Sequence, residues 1–155
     1  MTNLYESEFY DISYRAILNN EKMVKVFTDN DCIEVENDIS FDSVASCKTS
    51  INYFLASIIS EILKKLYSRA KKYRITVCDL EGKIKIKLKN PLTILDVLGY
   101  DEIPYIEECF VNIYLYSDME YDELIKFCNE TLNYCFIYNT LKNSMKFNIK
   151  FTPIV

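Results

Sequence analysis

Histidine and tryptophan are absent from this chain of 155 residues, and glycine (two) and proline (three) are scarce. Without histidine, Ser-His and Cys-His nucleophile pairs, histidine-containing zinc sites and imidazole acid–base chemistry are excluded. The lack of glycine-rich loops, together with a net charge of −5, argues against nucleic acid as a partner. Any catalysis must therefore use cysteine, carboxylate, lysine, arginine or tyrosine.

Secretion signals, membrane spans and metal motifs are also missing. The first ten residues are acidic and contain no apolar run, so we expect a cytoplasmic protein with free thiols. The uncharged run 51–60 is half of the ~20 residues that a membrane span needs, so no membrane partner is expected. No two cysteines have C-x-x-C spacing, and we expect neither a metal nor a cofactor. The six are Cys32, Cys47, Cys78, Cys109, Cys128 and Cys135.

A long helix is predicted over residues 51–72. Its apolar residues at three- and four-residue spacings cover a wider arc than a surface helix needs, so the helix should be mostly buried. At 1.5 Å per residue it would span roughly 33 Å, about the width of a small domain. The rest of the chain should therefore pack around it.

The remaining segments predict strands and one further helix. Period-two alternation indicates strands, and the residues of 121–134 have helical spacing after a capping-box pair at Ser117 and Glu120. The expected strands are a three-strand meander within 9–36, then 75–88, 105–116 and 145–151. The order β-β-β-α-β-β-α-β indicates a single α+β domain over 1–155, an antiparallel sheet around the central helix without a βαβ phosphate-binding crossover.

Positive charge is concentrated in the middle of the chain. Residues 61–90 carry 10 basic and 3 acidic side chains, and the band from Lys64 to Lys89 ends in lysines that alternate with apolar residues. Such alternation places the lysines on one face of a strand. We favour a solvated face that protects a sheet edge, and an anion site is the alternative.

Two segments resemble the signature motifs of the osmotically inducible protein C and organic hydroperoxide resistance (OsmC/Ohr-like) family. The sequence S-I-N-Y-F-L-A-S-I-I-S-E at 50–61 is similar to P-x-E-x-L-L-A-S-L-G-x-C, and C-F-I-Y-N-T-L at 135–141 is similar to C-P-V-x-N-T-L. The resemblance implies an OsmC-like fold and an intertwined homodimer with its sites at the subunit interface. It also implies a thiolate that attacks an organic hydroperoxide, after which a second thiol captures the sulfenic acid as a disulfide.

The chain departs from both motifs at the chemical positions. Glu61 stands where the family has its peroxide-attacking cysteine, and Asn52 stands where it has a supporting glutamate. Ser50 and Phe136 replace the motif prolines. Of the two redox thiols only Cys135 remains, so the two-thiol cycle cannot run as written.

Three residues are candidates for a site, each with an ordinary alternative. Cys135 is either a peroxidase nucleophile, alone or with a thiol from the loop that carries Cys47, or a structural thiol, which we favour because free cysteines are usually buried. Glu61 is either a surface partner of Lys65 one turn later, the interpretation we prefer, or a half-buried carboxylate that faces Cys135 and orients a ligand. Arg15 is either the family's N-terminal arginine or a solvated strand residue, which we prefer.

Three functions remain open. The first is an OsmC-like cytoplasmic homodimer that has lost peroxidase chemistry and keeps an apolar pocket for a small hydrophobic ligand, lined in part by Tyr53, Tyr67 and Tyr138. The second is a thiol-dependent organic hydroperoxide reductase that uses Cys135 and an external thiol reductant. The third is a structural or protein-interaction subunit whose basic band docks an acidic partner.

Overall fold

The computed structural model describes residues 9–19, 23–37, 39–41 and 48–154. The described residues form six strands, three α-helices and a 3-10 turn at Pro91–Leu95, which confirms the α+β class. The elements follow the predicted order, with a short helix added after the second one. They are β1 (Arg15–Asn19), β2 (Met23–Phe27), β3 (Cys32–Val35), α1 (Ser50–Tyr73), β4 (Val77–Lys89), β5 (Tyr105–Ser117), α2 (Tyr121–Leu132), α3 (Phe136–Leu141) and β6 (Lys146–Pro153).

The chain divides into two compact units, Met1–Phe54 and Leu55–Val155. In the first unit, β1, β2 and β3 form the predicted antiparallel meander. Its second turn is closed by the backbone N–H of Thr28, which donates to the carbonyl of Asp31 at 2.9 Å. The meander is shorter than predicted, because β1 begins at Arg15 and the alternating residues 9–14 are exposed and outside any strand.

In the second unit, β5 lies at the centre of a sheet with the order β4-β5-β6. β4 pairs with β5 antiparallel, but β6 pairs with β5 parallel, with Cys109 opposite Phe147. The all-antiparallel prediction is therefore wrong at β6, and so is the single sheet, since the described strands form two three-stranded sheets. The connection from β5 to β6 is also a βαβ crossover, which the predicted order did not contain: α2 and α3 carry the chain from the end of β5 back to its beginning, so that β6 enters in the same direction. That this crossover does not bind phosphate stays a prediction.

The core of the second unit lies between this sheet and the helices. One face of β5 is buried along alternate residues, and it meets buried residues of α1 and α2. These are Cys109, Val111, Ile113 and Leu115 on β5, Ile58, Ile62, Leu66 and Ala70 on α1, and Leu124, Cys128 and Leu132 on α2. The helical spacing of 121–134 predicted a core face of Leu124, Ile125, Cys128, Leu132 and Cys135. This face is confirmed at Leu124, Cys128 and Leu132, whereas Ile125 is half-buried and Cys135 lies beyond the end of α2.

Helix α1 has nearly the predicted bounds, and its 24 residues span roughly 36 Å at 1.5 Å per residue. Its burial in the single chain is narrower than predicted. Only one stripe is fully buried, while Ile59 and Leu63 are half-buried and Tyr67 is 49 % exposed. The expectation of a mostly buried helix is therefore wrong for the chain on its own, because part of the apolar arc faces an open groove.

Candidate functional site

Glu61 projects from the middle of α1 onto the beginning of α3. Its Oε2 accepts hydrogen bonds from the backbone N–H of Ile137 at 3.0 Å and of Tyr138 at 3.4 Å, and Oε1 accepts from Ile137 at 3.3 Å. These are the second and third residues of α3, whose N–H groups have no partner within the helix. The carboxylate therefore caps α3 in the way that an N-cap side chain does, but from another helix.

Cys135 immediately precedes α3 and is completely buried. Its Sγ lies 3.8 Å from the carbonyl of Thr131. Burial, reinforced by the negative charge of Glu61, raises the pKa of Cys135 to about 11, while the charge of Lys65 acts in the opposite direction. A thiol with such a pKa is ionised in about one molecule in ten thousand at pH 7, so it is a poor nucleophile.

Two further buried thiols have the same property. Burial alone raises the pKa of Cys109 to about 11 and that of Cys128 to about 12. Cys128 lies on α2, which ends at Leu132, whereas Cys135 immediately precedes α3. All five cysteines in the described part of the chain are free, and Cys47 lies outside the described residues.

The structure thus brings Glu61 to the segment that begins with Cys135. The preferred interpretation of Glu61 as a surface partner of Lys65 is wrong: no ion pair between these two is found among the described residues. Glu61 is half-buried and its oxygens face backbone donors. The half-buried position of the alternative agrees with this geometry, but the carboxylate oxygens bind the N–H groups of Ile137 and Tyr138. That Glu61 faces Cys135 and orients a ligand stays a prediction.

An open groove of about 860 Å³ lies along α1 and has a mostly apolar lining. Its volume is in the range of small-molecule sites. Its lining residues are Ser57, Ser60, Glu61, Leu63, Lys64, Tyr67, Leu80 and Ile137. Of the three tyrosines expected at a pocket, Tyr67 lines this groove. Tyr53 instead donates its hydroxyl hydrogen to the carbonyl of Glu34 at 3.0 Å, and Tyr138 packs edge-on against Phe147.

Cys135 lines a different hollow, of about 570 Å³. Lys65, Tyr134 and Asn139 are among its walls, and Glu61 is not. Both candidate residues therefore lie beside the start of α3, but they border separate cavities. A ligand in the apolar groove would touch the carboxylate side and not the thiol.

Two polar residues that sequence reasoning passed over also bind helix ends. The Asn139 amide donates to the carbonyls of Leu132, Asn133 and Cys135 at 3.2, 2.9 and 2.8 Å, and so joins the end of α2 to the start of α3. Thr49, buried before α1, accepts a hydrogen bond from the N–H of Asn52 at 3.1 Å. Two features of the sequence could have indicated these roles: Thr49 stands directly before a predicted helix, and Asn139 lies inside the second motif.

Arg15 begins β1 in the first unit, opposite Phe27, and is exposed. This agrees with the preferred interpretation of a solvated strand residue. In the described residues, no group of three or more cysteine, aspartate or glutamate side chains is close enough to hold a metal ion. None of the helices there is long and apolar enough to cross a membrane.

The fold and the motif segments together define an α+β chain with the OsmC-like fold. No protein-family model matches the sequence, and no curated protein matches it significantly. An OsmC-like protein from Mycoplasma pneumoniae is similar in structure, with a TM-score of 0.74 and 18 % identity over 94 % of this chain and 99 % of that one. The organic hydroperoxide resistance protein OhrB of Bacillus subtilis has a TM-score of 0.60 and 11 % identity over 92 % and 98 %.

An OsmC-like protein of unknown function from Vibrio cholerae is similar in structure as well. Its TM-score is 0.66, with 13 % identity over 94 % of this chain and all of that one. The resemblance drawn from the motifs is thus confirmed at the level of the fold. At these identities the likeness is one of architecture.

Proposed function

We propose that this chain is an OsmC/Ohr-like protein, one domain over 1–155, that works as a cytoplasmic homodimer and has exchanged peroxidase chemistry for ligand binding. The ligand is a small apolar molecule that lies in the groove along α1, beside Glu61, where the partner subunit closes it. The observation that carries the proposal is the bonding of the Glu61 carboxylate to the N–H groups of Ile137 and Tyr138.

That bonding matters because of what peroxide reduction requires. A thiolate sulfur attacks one oxygen of R–O–O–H, the O–O bond breaks, the alcohol R–OH leaves, and a sulfenic acid remains. A second thiol then displaces water to give a disulfide, which an external dithiol reduces. A carboxylate oxygen cannot form the disulfide. Because Glu61 stands at the position that resembles the family's nucleophile, the thiolate sulfur that would begin this cycle is missing there.

The groove supports binding of an apolar molecule. Leu63, Tyr67, Leu80 and Ile137 supply apolar surface, while Glu61 offers a fixed polar group at one end. Sites of this composition bind apolar ligands and orient them by a few polar contacts. The bonded carboxylate is held in one place by α3, so it is suited to orient a hydroxyl or amide group of the ligand.

A second candidate is a thiol-dependent organic hydroperoxide reductase in which Cys135 acts alone and an external thiol reduces its sulfenic acid. The observation in its favour is the hollow beside Cys135, lined also by Lys65, whose charge lowers the thiol pKa. Burial and Glu61 outweigh that charge, so the pKa still rises to about 11. We therefore rank this function second.

Consumption of cumene hydroperoxide in the presence of dithiothreitol distinguishes the two functions. We expect the native protein, Cys135→Ser and the matched control Cys128→Ser to show no turnover above that of dithiothreitol alone. Turnover that survives in Cys128→Ser and disappears in Cys135→Ser would establish the second function in place of the first.

The binding half of the proposal has its own measurement. Nile red fluorescence should rise on addition of the native protein, and Leu63→Asn, which places an amide in the groove, should reduce this rise while circular dichroism stays unchanged. Equal fluorescence for both proteins would contradict binding in the groove.

A further inference from the structure

The outer face of the β4-β5-β6 sheet presents a cluster of lysines whose positions follow from strand register. In one row across the sheet, Lys83 and Lys150 flank Asn112. In the next row, Lys85 and Asn148 flank Phe110. Neighbouring strands are about 4.8 Å apart, so three ammonium groups on flexible stems can reach a single point above these two rows.

Acidic side chains lie outside these two rows and not within them. On one side, Glu81 pairs with Lys83 at 3.5 Å, and both side chains are well exposed. On the other side, Glu108 pairs with Lys146 at 3.8 Å. On that side Glu108 lies between Lys87 and Lys146 in the strand register, and it accepts a hydrogen bond from the Asn148 amide at 3.3 Å. Among the described residues, neither Lys85 nor Lys150 has a carboxylate within ion-pair distance. The middle of this face is therefore positively charged, and it is bounded by negative charge on the Glu81 side.

A hollow of about 470 Å³ lies over the same two rows. Phe110 is 38 % exposed and offers apolar aromatic surface to this hollow. Asn112 is held in place, since its amide donates to the hydroxyl of Tyr114 at 2.7 Å and its carbonyl accepts from Thr152 at 3.0 Å. Charge, an aromatic surface and fixed polar groups thus meet in one concavity.

We propose that this hollow binds a small phosphorylated molecule that also has an aromatic or apolar part. The phosphate lies over Asn112 between Lys83 and Lys150, and the aromatic part lies on Phe110 beside Lys85. Lysine ammonium groups bind phosphate as compact point charges, and an exposed ring offers a stacking surface. The site is on the opposite face of the sheet from the buried core, and it does not depend on the function proposed for the groove.

The charge at one edge of the hollow limits how far the ligand extends. A single-stranded nucleic acid or a long acidic peptide that extended over Glu81 would meet like charge there. A ligand confined to the two middle rows avoids this repulsion. The volume of the hollow is also in the range of sites for single small molecules.

Isothermal titration calorimetry with ADP as the probe, and with pyrophosphate and adenosine as comparisons, tests the proposal on the full chain. We expect ADP to bind more tightly than pyrophosphate and adenosine to bind least. The double variant Lys83→Gln/Lys150→Gln should weaken ADP binding at least about tenfold, which corresponds to 1.4 kcal/mol. Phe110→Ser should bring ADP binding down to the level of pyrophosphate and leave pyrophosphate unchanged.

The control is the double variant Lys71→Gln/Lys126→Gln, which removes the same charge from exposed helical positions. It should leave ADP binding within about twofold of native at moderate ionic strength, because screening suppresses distant charges. Equal weakening in both double variants, an absence of ADP binding, or tighter binding of a single-stranded oligonucleotide than of ADP would each overturn the proposal. Circular dichroism of every variant verifies that the fold is intact.

Discussion

At the scale of single residues, polar side chains in the two motif segments bind the ends of helices. The Glu61 carboxylate caps α3, and the Asn139 amide donates hydrogen bonds to carbonyls at the end of α2. The Thr49 hydroxyl accepts a hydrogen bond from an N–H at the start of α1. Free N–H and C=O groups at helix ends are costly when buried, so side chains that satisfy them are constrained in identity. The identity of Glu61 is thus constrained by the backbone N–H groups that it binds.

The capping role of Glu61 predicts a loss of stability on its removal. Glu61→Ala should lower the free energy of unfolding by about 1–2 kcal/mol, because two buried N–H groups of α3 lose their acceptor. Glu61→Gln, whose amide oxygen still accepts, should lose less. Urea unfolding followed by circular dichroism measures both. The matched control is Glu130→Ala, an exposed glutamate on α2, and equal stability of the two alanine variants would contradict the cap.

At the scale of elements, Gly82 is the residue of β4 that lets α1 pack closely against the sheet. A Cβ atom there would lie 2.6 Å from Cδ1 and 2.9 Å from Cγ1 of Ile59, and 3.3 Å from Cδ1 of Ile113. Ile59 belongs to α1 and Ile113 to the centre of the sheet, so the missing side chain makes room for the contact between helix and sheet.

Substitution of Gly82 should therefore destabilise the chain through overpacking. We expect Gly82→Ala to lower the free energy of unfolding by about 1–3 kcal/mol, and we expect Ile59→Val, which deletes the nearest atom, to recover part of this loss in the double variant. A double-mutant cycle in urea measures the coupling. If the two substitutions change the free energy of unfolding additively, residue 82 and Ile59 do not clash and the prediction is wrong.

The sequence predicted the elements whose pattern is local. The continuous apolar arc of α1 and the alternation of β5 give their bounds within a few residues. Alternation at 145–151 predicted β6 but not its direction, because a period of two is the same in parallel and antiparallel strands. The alternation of residues 9–14 was misleading: β2, the partner of β1, has only five residues, so the earlier alternating positions have no strand to pair with.

The site was predicted less completely for a related reason. The motif resemblance singles out Glu61, but the hydrogen-bond partners of Glu61 are 76 and 77 residues away in the chain. No pattern within α1 indicates them, whereas the i,i+4 spacing to Lys65 is obvious and misleading. Contacts of this range follow from how the helices pack, which single-sequence periodicity does not record.

At the scale of the whole molecule, the groove along α1 is an apolar surface that the single chain leaves open. Of its lining residues, Leu63 is half-buried and Tyr67 is 49 % exposed. Contiguous apolar surface of this kind marks an interaction site. The apolar arc of α1 is wider than the sheet of one chain covers. A second copy of the chain that covers the remaining part would explain this width. Homodimer formation, proposed above, is the state that would bury it.

The dimer predicts a definite effect of charge in the groove. A chain of 18.3 kDa should sediment at twice that mass. Tyr67→Glu should shift it to the mass of one chain, because burial of a carboxylate at this apolar interface costs more desolvation free energy than pairing with the neighbouring Lys64 returns. Tyr121→Glu is the matched control, since Tyr121 is 62 % exposed on α2 and outside the groove, and it should remain dimeric. Sedimentation equilibrium measures all three proteins, with circular dichroism to verify folding. A native protein that sediments as one chain, or a control that dissociates as readily as Tyr67→Glu, would refute the interface at this groove.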